Sequence, residues 1–281
     1  MNTNNGFLAI DVGSSRVKLG WFPPAGECTS DKQANNLTIA TPPLVQPRET
    51  LVVSHNNQAL LWTQIGAWLE EFCPAGPPGY IASVHPAALA IVQEMFADQL
   101  VSLTADDLPL MQRTEQPERV GIDRLLNAVA VNRLRQPERP ALAIDLGTAC
   151  TVDLIAPDGA FEGGAIFPGV TLSAEALHTG TASLPQLAAE SSDDWPELVG
   201  KSTQAAIAFG LYWGTIGTVR ELVDRISQEC AYPPQLFFTG GGAPQLVTHF
   251  ADDHKTIRHV PNLVLAGIAV VANNRAVEES S

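Results

Sequence analysis

Hydrophobic positions along the chain switch between short runs at strand spacing and longer stretches at helical spacing, the alternation of an α/β protein. The first run, Leu8-Ala9-Ile10, enters Asp11-Val12-Gly13-Ser14 and is followed by alternating Val17, Leu19 and Trp21. A second run, Leu142-Ala143-Ile144, enters Asp145-Leu146-Gly147-Thr148 and is followed by Thr151, Asp153 and Ile155. Each pattern predicts a β-hairpin with the Asp at its turn. Five of the seven positions are identical between the two copies, and the other two exchange an aliphatic for an aliphatic and a hydroxyl for a hydroxyl. Copies near the starts of the two chain halves predict duplicated domains with like cores.

Between the copies the spacing predicts helix over 57–72, strand over 80–84, helix over 87–97 and strand over 100–103. The Pro- and charge-rich stretch 108–119 reads as a linker, which divides the chain into domains at 1–115 and 116–281. Ile122, Leu125, Leu126, Val129 and Leu134 then predict a helix over 121–135. A Gly-rich segment at 163–169, a long helix over 203–230, a strand over 236–239 and a closing helix over 263–273 complete the pattern, with polar loops at 23–47 and 190–196. Within the long helix, Ile207, Leu211, Tyr212, Ile216, Val219, Leu222, Val223 and Ile226 form a wide apolar stripe. It packs on the sheet of its own domain or is covered by a second copy of the chain.

The candidate chemistry lies at the turns. Gly13 lets backbone N–H groups approach an anion without a Cβ in the way, Ser14 and Ser15 add hydroxyl donors, and Lys18 brings a positive charge. A carboxylate beside a phosphate repels it, so Asp11 and Asp145 suit a phosphate site when a cation stands between, as in a metal-bound nucleotide. Taken singly, each Asp-x-Gly is also what any hairpin turn selects. Phe237-Phe238-Thr239-Gly240-Gly241-Gly242-Ala243 reads as a strand running into a glycine turn, where a base or ribose can lie close to the backbone, or as a plain strand-to-helix connection. Gly200-Lys201-Ser202-Thr203 imitates the end of a P-loop, but Trp195 occupies the position of the leading glycine, so Lys201 and Thr203 are read as opening a helix. Asp123 and Arg124, at the start of a helix, are either a favoured helix-start acid and a solvated charge, or a base and an anion-binding group. The six histidines show no metal-ligand spacing, and no Gly-x-Ser-x-Gly elbow supports a serine hydrolase.

Composition narrows the classes. With 45% hydrophobic and 16% charged residues and a mean hydropathy of +0.06, the 281-residue chain can bury an ordinary core and is not a disordered one. Sixteen Lys and Arg against thirty Asp and Glu leave a formal charge of −14, which disfavours a broad nucleic-acid footprint. Cys28, Cys73, Cys150 and Cys230 form no C-x-x-C pair and suit a reducing cytoplasm. The polar first residues and the interruption of the first apolar run by Asp11 give no expectation of secretion or membrane spanning.

In order, the motifs are Asp11 to Lys18, Gly121 to Arg124, Asp145 to Asp153, Gly163 to Gly169, Gly200 to Thr203 and Thr239 to Gly242. This series resembles type III pantothenate kinases, of the acetate and sugar kinase/Hsc70/actin superfamily, over nearly the whole chain. The resemblance implies two duplicated ribonuclease H-like domains of the actin-like ATPase fold with a nucleotide cleft between them. It implies ATP-dependent phosphorylation of pantothenate to 4'-phosphopantothenate, the first step of coenzyme A synthesis, with Mg2+ and a monovalent cation, K+ or NH4+. By position, Asp11, Val12, Gly13, Ser14, Ser15, Arg16, Val17, Lys18 and Thr148 would contact ATP, and Asp123 would be the general base. Gly121, Ile122, Asp123, Arg124 and Thr203 would contact pantothenate, and Asp145 would hold the monovalent ion. A cytoplasmic homodimer is implied as well. Ser14-Ser15 stands where the family usually has Asn-Thr, and Thr114 where it usually has Tyr. The alternatives are a weak or inactive nucleotide-binding regulatory relative, or a kinase for another small hydroxy acid.

Overall fold

The computed structural model describes residues 6–24, 44–73, 76–96, 99–187, 199–250 and 257–278. The chain forms two compact units, one of residues 1–137, 159–161 and 262–281, the other of residues 138–158 and 162–261.

The first unit is built on a five-stranded sheet. Its strands are β1 (Phe7–Val12), β2 (Arg16–Phe22), β3 (Glu49–Ser54), β4 (Gly79–Ser83) and β5 (Leu100–Ser102), in the order β3-β2-β1-β4-β5. β2 runs antiparallel to β1 and β3, while β4 runs parallel to β1 and β5. Period-2 alternation sends Leu8, Ile10, Val12, Val17 and Leu19 to one face, where they meet Leu61, Ile65 and Trp68 of α1 (Gln58–Phe72) and Val92 and Phe96 of α2 (Pro86–Phe96). Asn57 starts α1 by accepting the Leu60 N–H at 3.1 Å, an ordinary N-cap.

Two further helices, α3 (Ile122–Leu134) and α7 (Leu263–Glu278), pack on each other in this unit, and α7 also meets β1, β2 and β4. Their approach is close enough that a Cβ at Gly267 would stand 2.2 Å from the Leu126 carbonyl oxygen. Helix α3 therefore buries the unbroken run from Leu125 to Val131 rather than a single stripe. A single division at 115/116 does not coincide with these units, because α3 and the far C-terminal α7 share the first core. The Pro-rich stretch read as a linker is also tied down. The Arg113 N–H donates to the Phe161 carbonyl, the Phe161 N–H donates to the Met111 carbonyl, and Arg275 pairs with Asp107.

The second unit repeats the topology. Strands β6 (Ala141–Leu146), β7 (Ala149–Ile155), β8 (Phe161–Pro168), β9 (Gln235–Thr239) and β10 (Ile257–His259) lie in the order β10-β9-β6-β7-β8. β7 is antiparallel to β6, and β9 is parallel to both β6 and β10. Helices α4 (Val170–Gly180), α5 (Thr203–Glu229) and α6 (Ala243–Leu246) complete it. Leu142, Ile144, Leu146, Cys150, Val152, Leu236 and Phe238 face Ile216, Val219 and Val223 of α5, with Tyr212, Leu222 and Ile226 packed at the margin. Most of the wide stripe of the long helix thus serves the core of its own unit. The outward positions Gly210, Gly214 and Gly217 are exposed, with open space around each.

The predicted helices and strands appear within a few residues of their expected ends. β3, α4 and β10 were not anticipated, and the Gly-rich segment 163–169 is mostly strand β8. Most of the predicted loop 23–47, and all of 190–196, lies outside the described residues.

Candidate active site

In the first hairpin the aspartate is not at the turn but inside the ladder, for Asp11 pairs with Lys18 and Val12 with Val17. Asp11 is buried, and Lys18 Nζ lies 3.8 Å from its Oδ2, the lysine remaining about a third exposed. The turn itself, Gly13-Ser14-Ser15, is closed by the Gly13 N–H donating to the Arg16 carbonyl at 2.9 Å. Val12 and Val17 belong to the core, so only their backbone is available to a ligand, while Ser14 and Arg16 are exposed.

Gly121 is the N-cap of α3, and a Cβ there would stand 2.6 Å from Asp123 Oδ1. The Asp123 carboxylate turns back on the helix start, where Oδ1 accepts the Arg124 N–H at 2.8 Å. The Arg124 guanidinium lies over the buried Phe161 ring, 5.4 Å from its centroid. Val84 joins this motif to the hairpin. Its N–H donates to the Val12 carbonyl at 3.0 Å, and its Cγ1 is the neighbour a Gly121 Cβ would meet at 3.6 Å. Two motifs more than a hundred residues apart, Asp11–Lys18 and Gly121–Arg124, therefore lie together in the first unit.

The second hairpin follows the same plan with a turn one residue shorter. Asp145 pairs with Thr151 and Leu146 with Cys150, and on its other side Asp145 pairs with Thr239. A Cβ at Gly240, whose φ is +90°, would stand 2.5 Å from Asp145 Oδ1, so only glycine lets β9 turn this close to the carboxylate. Thr148 forms the turn with Gly147, and its carbonyl accepts the Gly169 N–H at 2.9 Å. A Cβ at Gly169 would lie 2.2 Å from the Gly147 carbonyl oxygen. Thr203 occupies the exposed first turn of α5, which Ser202 caps by accepting the Ala205 N–H.

Thr151 stands beside Asp145 on the neighbouring strand. Its Oγ1 is buried without a hydrogen-bond partner directly across the ladder from Asp145. A carboxylate flanked by the hydroxyls of Thr151 and Thr239 is an all-oxygen set that suits a hard cation. Among the described residues no group of three or more His, Cys, Asp or Glu could hold a metal ion. Burial, aided by the nearby Asp145 charge, pushes the Cys150 thiol up to about 12 and leaves it a packing residue rather than a nucleophile.

Sequence reasoning missed several neighbours of these motifs. His55, Ser83 and His85 line the first hairpin, and Gln112 is bridged to Phe161 beneath Arg124. A signal existed for His85, which precedes Pro86 at a helix start. His55 follows a strand that the pattern did not show, and Thr151 is displaced from alignment with Lys18 by the shorter turn.

The doubled sheet defines the class first: the chain has the actin-like ATPase fold of the sugar kinases, with two ribonuclease H-like units. A solved structure from Sinorhizobium meliloti, described as a 2-dehydro-3-deoxygalactonokinase, matches 95% of this chain and 96% of its own at a TM-score of 0.53 and 18% identity. The chain belongs to the type III pantothenate kinase family, whose profile matches residues 7–225. The type III pantothenate kinase of Acidiphilium cryptum is 37% identical over 68% of this chain and 71% of its own. That of Rhodospirillum rubrum is 40% identical over 59% of this chain and 61% of its own. Family membership carries the reaction class, ATP-dependent phosphorylation of pantothenate in coenzyme A synthesis. Among the described residues no helix is long and apolar enough to cross a membrane.

Proposed function

We propose that this chain transfers the γ-phosphoryl group of Mg-ATP to the primary hydroxyl of pantothenate, releasing ADP and 4'-phosphopantothenate. Beside the family membership, the observation that carries this reading is the joining of the Asp11–Lys18 hairpin to Gly121–Arg124 through Val84. Phosphoryl transfer of this kind asks the protein mainly for positioning and charge neutralisation. The turn amides, Ser14, Ser15 and Lys18 hold the phosphates, with Asp11 fixing Lys18, and Arg16 stands at the exposed rim of the turn. Asp123 accepts the proton of the attacking hydroxyl as the new O–P bond forms and the bond to the ADP oxygen breaks. Gly121 and Ile122 hold the start of α3 in place, and Arg124, stacked on Phe161, meets the pantothenate carboxylate. Thr148 serves ATP, and Thr203 serves pantothenate.

Asp145, with Thr151 and Thr239, would hold a monovalent cation, K+ or NH4+, which supplies positive charge at the second hairpin. The enzyme works in the cytoplasm as a homodimer. The exposed glycines on α5 support the assembly by letting another backbone approach closely. Light scattering is expected to give twice 29.9 kDa, and a monomer that phosphorylates pantothenate would overturn the dimer.

A second reading, a kinase for another small hydroxy acid, is favoured by Thr114, whose buried Oγ1 has no hydrogen-bond partner where the family usually carries an aromatic ring. One assay tests both readings. Purified protein, ATP, magnesium and potassium are incubated with pantothenate or with a panel of other hydroxy acids, and phosphorylated product is measured. Pantothenate as the preferred acceptor is expected. Preference for another acid would establish the second reading, and turnover of none would indicate a regulatory relative.

A further inference from the structure

The turn of the first hairpin is gripped by a residue that no motif includes. The antiparallel register of β2 and β3 pairs Arg16 with Ser54, which brings the next residue, His55, alongside Ser15. The His55 backbone N–H donates to the Ser15 carbonyl at 3.4 Å, and its ring Nε2 lies 3.2 Å from the Gly13 carbonyl oxygen. A carbonyl only accepts, so Nε2 carries the proton and donates. One residue thus bridges both legs of the turn.

The ring is itself held. His85 packs against it with ring centroids 4.7 Å apart and planes tilted by 52°. The orientation of His85 is fixed in turn, because its Nδ1 accepts the Ala88 N–H at 3.1 Å at the start of α2 and its own N–H donates to Ser83 Oγ at 3.0 Å. Side chains from two other strand ends therefore hold the Gly13–Ser14 peptide, His55 directly and His85 through His55.

We propose that His55 is a positioning residue for nucleotide phosphate, a role that rests on the reading of Asp11–Lys18 as the phosphate hairpin. In a trans peptide the C=O and N–H point to opposite sides. With the Gly13 carbonyl drawn to His55, the Ser14 N–H is presented on the other side of the Gly13–Ser14 peptide. A flip of that peptide would aim a carbonyl dipole at the anion in place of a donor. His55 makes the flip costly by the loss of its hydrogen bond, and so keeps the turn organised before the ligand arrives. The short side chain of Ser14 leaves this backbone donor as a principal contact at the tip.

The test is direct binding of Mg-ATP by calorimetry with no acceptor present, on the full chain and two variants whose folding is checked by circular dichroism. His55→Leu keeps an apolar body against His85 but removes the donor, and His55→Gln keeps an amide donor. The Kd for Mg-ATP is expected to rise about tenfold in His55→Leu, the equivalent of one hydrogen bond of about 1.4 kcal/mol, and to stay within about threefold of the original in His55→Gln. Equal Kd values for the two variants, whether both weak or both unchanged, would overturn the inference, as would an original protein that does not bind Mg-ATP. Because no acceptor is present, a protein that shows the expected pattern yet leaves pantothenate unphosphorylated would keep the role of His55 and refute the proposed substrate.

Discussion

The two Asp-x-Gly hairpins share sequence, strand order and register direction, yet they differ in what stands across the ladder from the aspartate. Asp11 faces Lys18, a cation built into the chain. Asp145 faces Thr151, a hydroxyl that cannot neutralise charge and whose oxygen is buried without a partner. A buried carboxylate is tolerated when a positive group attends it. In the first hairpin Lys18 is that group for the buried Asp11, whereas the half-buried Asp145 has a threonine beside it on each neighbouring strand. The two hairpins thus differ by one residue in turn length and by the residue that stands across the ladder from the aspartate.

The largest expected effect separates the first hairpin and its neighbour from the second. Asp123→Asn is expected to lower kcat by roughly 10²-fold or more while Mg-ATP binding persists, as loss of a general base requires. An unchanged kcat in a folded variant would remove Asp123 from the chemistry. Lys18→Met is expected to lower kcat/KM for ATP by about 10²-fold in potassium and sodium alike, because it removes a fixed charge from the phosphates. A variant rescued by potassium would mean that the two hairpins share one cation function.

Stability distinguishes the glycines. Gly240→Ala forces a Cβ into positive φ and against Asp145, so it is expected to cost about 2 kcal/mol or more in chemical denaturation of the second unit. A native-like midpoint would show that β9 can move away from the carboxylate. Next in size is the cation response. Activity is expected to need potassium or ammonium beside magnesium, and Thr151→Val should raise the half-activating potassium concentration about tenfold, the loss of one ligand interaction of about 1.4 kcal/mol. Equal rates in sodium and potassium buffers would refute the cation site.

The smallest effect is expected for Gly13→Ala. Gly13 does not have positive φ, and its Cβ would meet only the Arg16 carbonyl oxygen at 3.4 Å, so stability should change by less than about 1 kcal/mol. Any weakening of Mg-ATP binding in that variant would then report the approach of phosphate to the turn. A large loss of stability would mean that the first turn is as crowded as the second.

The sequence by itself determined most of the local elements and the duplication, because those follow from period-2 and period-3.6 spacing and from a repeated seven-residue run, while the strands β3, β8 and β10 and helix α4 did not show in that spacing. It also showed the Gly-x-Asp-Arg helix start, whose glycine makes room for a carboxylate two residues on. Tertiary structure decided which residues confront one another. The shorter second turn puts Thr151, six residues beyond its aspartate, where Lys18 stands seven beyond its own, and turn length sets a register that the repeat alone does not reveal. His55 reaches Gly13 only because β3 pairs with β2 across a long connection. The stripe of α5 could have served a partner or its own sheet, and the sheet took most of it. Helix α7 joins the first unit from the far end of the chain because α3 and the first sheet leave an apolar surface there, a match between distant segments that no local spacing encodes.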